Sequence, residues 1–246
     1  MPLINSIISW LNVKRLHQIE LFKQYPGNVQ REVFNRLITQ AQTTEWGMKY
    51  GYSDIQNIRQ FQDRVPIQRY DDILPYVERQ RAGEQNILWP SEIKWYAKSS
   101  GTTAEKSKFI PVSPEALEEC HFRGAKDALA LYTKQFPDSP VLRGKALTLG
   151  GSHQINNYST QSYYGDLSAI LIENVPFWTD FMRIPPNEIV LIEEFEEKID
   201  RIIETSLDQN VTSFAGVPSW YLVLLKRILE KTGKKNILEV WPNLEI

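Results

Sequence analysis

Ser99-Ser100-Gly101-Thr102-Thr103, with Lys106 and Lys108 shortly after, is the one stretch of this chain whose residue types and spacing spell a specific chemistry. Small residues let backbone amides approach an anion closely, and hydroxyls add donors. A lysine then supplies a point charge. That composition alone fits a polar surface turn equally well. Placement favours phosphate: the segment lies between two short apolar runs, residues 93–97 and 109–112, both expected to be strands, and the lysines sit on its far side. The loop does not match the nucleotide-binding pattern with two glycines before Lys-Ser/Thr, nor the dinucleotide fingerprint, because Gly101 is its only glycine.

Two further segments follow predicted strands, where open α/β sheets place their ligands. Gly150-Gly151-Ser152-His153 comes after the run 146–149, and His153 could line a pocket there. The plainer alternative is a polar loop histidine, since no carboxylate partner is readable. Phe214-Ala215-Gly216-Val217-Pro218-Ser219-Trp220 joins a strand to a helix whose N-terminus would point into the crevice. It reads equally well as a structural turn with aromatic packing. His17 and His121 lie in helical contexts and read as packing or surface residues, and Cys120 reads as a small apolar residue on a helix. Glu193, Glu194, Glu196 and Glu197 read as a solvated helix face.

The elements that must position these residues follow from periodicity. The first ninety residues read mainly as helices. The N-terminal stretch 1–16 reads as an amphipathic helix packed on the body. Asn28 is expected to cap a second helix, with apolar positions Val29, Val33, Phe34, Leu37, Ile38 and Ala41, ending near Gly47 and Gly51. A short helix fits 55–61, and Pro66 and Pro75 bracket an element around 70–74. Beyond residue 93, short apolar runs alternate with helical ones. Ser113-Pro114 opens a helix to about residue 135. Strands are expected at 146–149, 169–172, 211–215 and 237–241, and helices at 188–208 and 219–231, the last stopped by Gly233. The alternation predicts an α/β fold: a layered, largely parallel sheet flanked by helices, with a helical N-terminal segment.

Composition narrows the class. The chain has 246 residues, 42% hydrophobic and 24% charged, enough for a substantial core and without a signature of disorder. A net charge of −2 provides no overall positive field for nucleic acid or an anionic membrane. A single cysteine excludes an internal disulfide framework and argues against a cysteine-based zinc site. No apolar run reaches membrane-spanning length, and no basic leader with a small-residue cleavage site is present, so a cytoplasmic location is expected. The ending WPNLEI reads as the first residues of a strand.

SSGTT followed by a lysine resembles the phosphate loop of the adenylate-forming superfamily of acyl-activating enzymes. The segments LWPSEIKWYAKSSGTTAEKSKFIPVS, GSHQIN, FAGVPSWYLVLLKRI and VWPNLE, in this order, resemble one branch of it. That branch is the auxin-responsive promoter family of acyl acid amido synthetases, especially its bacterial members. The resemblance implies part of the large N-terminal domain, with 1–90 mainly helical and 91–246 an α/β portion. It implies that Ser99, Ser100, Gly101, Thr102, Thr103 and Lys108 bind the phosphates of ATP, with Mg²⁺ accompanying the nucleotide. It places Phe214, Gly216, Val217 and Trp220 near an acyl pocket, for which His153, by its place after a strand, is a further candidate; the sequence offers no metal-ligating residue and no residue to assign as a general base. Ala104 and Glu105 depart from the pattern, standing where the family usually has a glycine.

The implied reaction activates a carboxylic acid as its acyl adenylate and passes the acyl group to an amino acid. The alternatives are a thioester-forming acyl-CoA ligase and a non-catalytic homologue that acts as a binding module. The family's adenine- and ribose-contacting motifs and its small C-terminal domain lie beyond the equivalent of Ile246. The chain is therefore expected to be an N-terminal portion without turnover of its own.

Overall fold

A computed structural model describes residues 2–99, 107–151, 156–159 and 162–245. In chain order the helices and strands are α1 (Pro2–Gln24), α2 (Pro26–Ala41), α3 (Glu45–Lys49), α4 (Ile58–Arg64), α5 (Tyr70–Arg81), β1 (Trp95–Lys98), β2 (Phe109–Val112), α6 (Arg123–Gln135), β3 (Lys145–Thr148), β4 (Asn156–Ser159), β5 (Ser162–Gly165), α7 (Leu167–Asn174), β6 (Arg183–Ile184), α8 (Asn187–Val190), α9 (Phe195–Ser206), β7 (Val211–Ala215) and α10 (Pro218–Thr232). They fall into two compact units, Met1–Asp127 with Asn156–Gly165, and Ala128–Ile155 with Asp166–Ile246. The mixed α/β architecture with helix-flanked parallel strands is the one the sequence predicts. Its strands are divided between two sheets.

In the first unit the sheet order is β2-β1-β5-β4. β1 pairs antiparallel with β2 and parallel with β5, and β4 pairs antiparallel with β5. Several helix ends differ from the sequence expectation. α2 begins at Pro26, not Asn28, because a proline with fixed φ and no N–H suits the first helical position. Gly47 lies inside α3, whose cap is Thr44; the Thr44 hydroxyl accepts from Gly47 N at 2.9 Å. α4 starts at Ile58 because the Asn57 side chain accepts from Gln60 N at 3.0 Å. α5 runs through Pro75 to Arg81. The proline forfeits one helical hydrogen bond, but Val77, Gln80 and Arg81 are buried on the following turns, and Val77 packs with Ile93 and Tyr96. After β2, Ser113 accepts from Ala116 N at 3.0 Å and opens the expected helix, which passes through a π-helical stretch, Ala116–Phe122, into α6. Cys120 lies on that stretch and is exposed.

In the second unit β6, β3 and β7 form an all-parallel sheet in that order. Its core holds Ile199, Ile202 and Ile203 of α9, Leu224 and Ile228 of α10, Leu147 of β3 and Trp241, all essentially inaccessible. Each such side chain contributes about 1.5–3 kcal/mol on burial. Four expectations fail here. Residues 169–172 are helix α7, not a strand; a short apolar run fits a buried strand and a buried helix face alike. The helix expected at 188–208 is broken into α8 and α9 because Glu194 leaves the acidic face and caps α9, accepting from Glu196 N and Glu197 N. Residues 237–241 begin with a 3-10 turn, Ile237–Glu239, closed by a reciprocal Asn236–Glu239 capping box. Residues 242–243 form a turn and 244–245 no regular element, where the ending reads as the start of a strand. α10 ends as expected at Gly233, whose φ of 69° is left-handed.

Candidate functional site

The loop between β1 and β2 is closed at a neck that its own residues build. Strand pairing ends at Lys98 opposite Phe109. One residue further, Ser99 N donates to Lys108 O at 2.8 Å, and Lys108 N donates to Ser99 Oγ at 3.0 Å. The serine side chain thus replaces the backbone acceptor that a regular ladder would supply. Because Oγ accepts from Lys108 N, the Ser99 O–H hydrogen is left to donate elsewhere. Ser99 and Lys108 are half-buried. Ser100, Gly101, Thr102 and Thr103, with Ala104, Glu105 and Lys106, lie outside the described residues.

Phe109, the first residue after the neck, is held from two sides. The Tyr70 hydroxyl accepts from Phe109 N at 2.8 Å and donates to Phe109 O at 3.3 Å. The Arg81 guanidinium lies 3.7 Å from the centre of the Phe109 ring, and Tyr164 meets that ring edge-on at 5.2 Å. Arg81 is only 4% exposed; it pairs with Glu78 at 2.7 Å, and its carbonyl accepts from the Ser162 hydroxyl at 2.8 Å. Burial pushes the phenol of neighbouring Tyr96 far above its ordinary value, against a smaller opposing effect of Arg81. The Lys108 ammonium stands 5.8 Å from the centre of the Tyr70 ring.

In the second unit the parallel strands bring the carboxyl ends of β6, β3 and β7 to one edge of the sheet. β3 leads into Gly150 and Gly151. The buried Lys198 ammonium donates to Gly150 O at 3.3 Å, and Gly151 N donates to the Ser168 hydroxyl at 3.0 Å. Burial pulls the Lys198 amine below its ordinary value, with Asp166 acting in the opposite direction. His153 lies outside the described residues. At the end of β7, Phe214 stacks on Tyr221 at 4.5 Å, and the Tyr221 hydroxyl donates to Leu147 O at 2.8 Å. Trp220 is turned toward Phe195 instead, with ring centres 6.2 Å apart. Gly216 and Val217 are exposed at the turn itself. The four described acyl-pocket candidates therefore share one strand-to-helix turn, but their two aromatic side chains have different partners.

Sequence reasoning missed Tyr70, Arg81 and Lys198. Tyr70 and Arg81 carry no signal in a helix that looks polar. Lys198 carries one: it lies three residues after Phe195 and four before Ile202, on the apolar face of α9. Among the described residues no group of three or more His, Cys, Asp or Glu could hold a metal ion, and no helix is long and apolar enough to cross a membrane.

A mostly antiparallel sheet in one unit and an all-parallel, helix-flanked sheet in the other define a mixed α/β protein. The chain belongs to the GH3 family: residues 15–246 match the model of the GH3 family N-terminal domain. It is 25% identical over 191 residues to a jasmonoyl–L-amino acid synthetase of Nicotiana attenuata, JAR4, covering 75% of this chain and 32% of that protein. It is 28% identical over 117 residues to the indole-3-acetic acid-amido synthetase GH3.2 of Arabidopsis thaliana, covering 47% of this chain and 21% of that protein. Among solved structures it is similar in fold to the GH3.15 acyl acid amido synthetase, with a TM-score of 0.72 and 19% identity, over 88% of this chain and 38% of that one. The chain spans about a third or less of the length of these two relatives.

Proposed function

We propose that this chain forms the nucleotide-phosphate and acyl-binding portion of an ATP-dependent acyl acid amido synthetase. Membership of the GH3 family supports the reaction class. The observation that supports the site is the pair of hydrogen bonds between Ser99 and Lys108, which flank in sequence a run of small and hydroxylated residues. In this reading residues 1–90 are the helical segment of a large N-terminal domain and 91–246 its α/β portion. The substrates are a small-molecule carboxylic acid, ATP and an amino acid. Neither nucleic acid nor membrane is a partner, and the protein works in the cytoplasm.

The reaction asks for positioned donors more than for a nucleophile. A substrate carboxylate oxygen bonds to the α-phosphorus of ATP, and the bond to pyrophosphate breaks. The amine of the amino acid then bonds to the acyl carbon, AMP leaves with the bonding pair, and the amine loses a proton. The Ser99 hydroxyl, whose backbone N–H is taken by Lys108 O, the backbone amides of Ser100, Gly101, Thr102 and Thr103 and the hydroxyls of Ser100, Thr102 and Thr103 donate to phosphate oxygens, and Lys108 adds a positive charge at the neck. Mg²⁺ would accompany the nucleotide and would neutralise part of the phosphate charge as pyrophosphate leaves; no side chain of this chain is assigned to hold it. Phe214, Gly216, Val217, Trp220 and His153 supply the wall against which the acyl chain rests.

Hydroxylamine trapping by a family-length protein carrying this sequence tests the reading. With ATP–Mg²⁺ and a panel of carboxylic acids, a hydroxamate is expected, and amino acids are expected to give an amide with AMP. A thioester with CoA in place of the amide would reassign the acceptor. No hydroxamate and no thermal shift with ATP–Mg²⁺ would favour the binding-module alternative. The 246-residue segment by itself is expected to give no turnover.

A further inference from the structure

We infer that Tyr70 is a positioning residue for the phosphate loop and sets the protein's affinity for nucleotide without touching it. The inference rests on the phosphate-loop reading above. β2 is an edge strand of its sheet. Along such a strand, successive residues present their N–H and C=O alternately toward the partner strand and away from it. Lys108 turns both groups toward β1, where Ser99 takes them. Phe109 must therefore turn both groups outward, where an edge strand ordinarily leaves them to water or to another chain.

The Tyr70 hydroxyl takes both, accepting at 2.8 Å and donating at 3.3 Å. A hydroxyl is the smallest side-chain group able to do so, since it is donor and acceptor at one atom. Tyr70 is the first residue of α5, and Arg81, the last, packs on the Phe109 ring at 3.7 Å. One helix thus grips the residue after the loop by its backbone at one end and by its side chain at the other. Lys108 is the neighbour of this anchored residue, so the direction of its ammonium, 5.8 Å from the Tyr70 ring, depends on the same clamp. Without the hydroxyl the neck formed by Ser99 and Lys108 can fray from the β2 side.

Tyr70→Phe removes the hydroxyl and keeps the ring beside Lys108. In a family-length protein, ATP–Mg²⁺ affinity and the KM for ATP are expected to weaken about 3- to 10-fold, because a neck that has lost one or two hydrogen bonds must be re-ordered when the nucleotide binds. The KM for the carboxylic acid is expected to stay within about 2-fold. Hydrogen exchange at the Phe109 amide is expected to quicken in the variant. Substitution of Ile67 by serine, at a side chain 99% exposed, serves as the control and is expected to change none of these. Unchanged ATP affinity in Tyr70→Phe, with wild type binding ATP, overturns the inference and leaves the phosphate-loop reading standing. Equal loss for ATP and acid overturns it too, because that marks a general structural role. If wild type binds no ATP at all, the phosphate-loop reading fails and the inference fails with it. Unchanged exchange at Phe109 separately removes the clamp.

Discussion

Gly216 stands where β7 turns into α10, and a single methyl group there tests how tightly that turn is built. A Cβ on Gly216 would lie 2.8 Å from Tyr221 Cε2 and 3.4 Å from Leu149 O. Carbon atoms prefer about 3.5–4.0 Å, so the ring must retreat by about 0.7 Å or more. It has little room: Tyr221 is 3% exposed, stacked on Phe214 at 4.5 Å, and its hydroxyl is 2.8 Å from Leu147 O. Overpacking of this kind costs about 1–3 kcal/mol. The loss of unfolded-chain entropy on Gly→Ala returns about 0.4–1 kcal/mol, because the backbone here is not left-handed. Gly216→Ala is therefore expected to destabilise by about 1–2 kcal/mol. In a Tyr221→Leu background the ring is gone, and the same substitution is expected to cost nothing or to stabilise by a few tenths. Urea unfolding of the four proteins, followed by far-UV circular dichroism, yields the coupling energy, expected at about 1–2 kcal/mol. Equal costs in the two backgrounds, within about 0.5 kcal/mol, would refute the reasoning.

Gly47→Ala places a methyl 2.0 Å from the carbonyl oxygen of Ala41, a backbone atom that cannot step aside. It is expected to cost about 3 kcal/mol and to lower Tm by about 6–12 °C in a thermal melt; a fall under about 2 °C contradicts the packing described. Lys198 is a buried base whose pKa is lowered, so the unfolded chain holds more protons between that lowered value and the ordinary 10.5. Wild type is therefore expected to gain stability relative to Lys198→Met as pH rises through this window, read as the difference of urea midpoints at neutral and alkaline pH. A difference that does not change with pH contradicts a lowered Lys198 pKa.

Legibility in the sequence followed the range of the forces involved. The strands on either side of the 99–108 loop, β3 and β7 were readable because turn residues bound short apolar runs. α10 was readable from both ends, with Pro218 in its first turn and Gly233 as its left-handed stop. Residues 169–172 were not, because four apolar residues satisfy either a strand or a helix until the neighbouring layers are known. Glu194 looked like one more charge on a solvated face, and only the geometry of two backbone N–H groups makes it a cap. Strand order is a long-range property, so the division into two sheets was hidden. The residue types that suggest a phosphate loop are visible in the sequence, but the contact that holds its flank is not. Tyr70 lies 39 residues before Phe109, and nothing local marks it as the partner of an edge strand.

Acid-dependent exchange of labelled pyrophosphate into ATP measures the central claim most directly, because it reports bond formation between a carboxylate and the α-phosphorus whatever the acyl acceptor. A family-length protein with this sequence, given ATP–Mg²⁺ and a broad panel of carboxylic acids, is expected to incorporate label with at least one acid and none without acid. Ser99→Ala, which removes the side-chain half of the loop closure, is expected to slow that exchange. No incorporation with any acid on the panel would contradict the account.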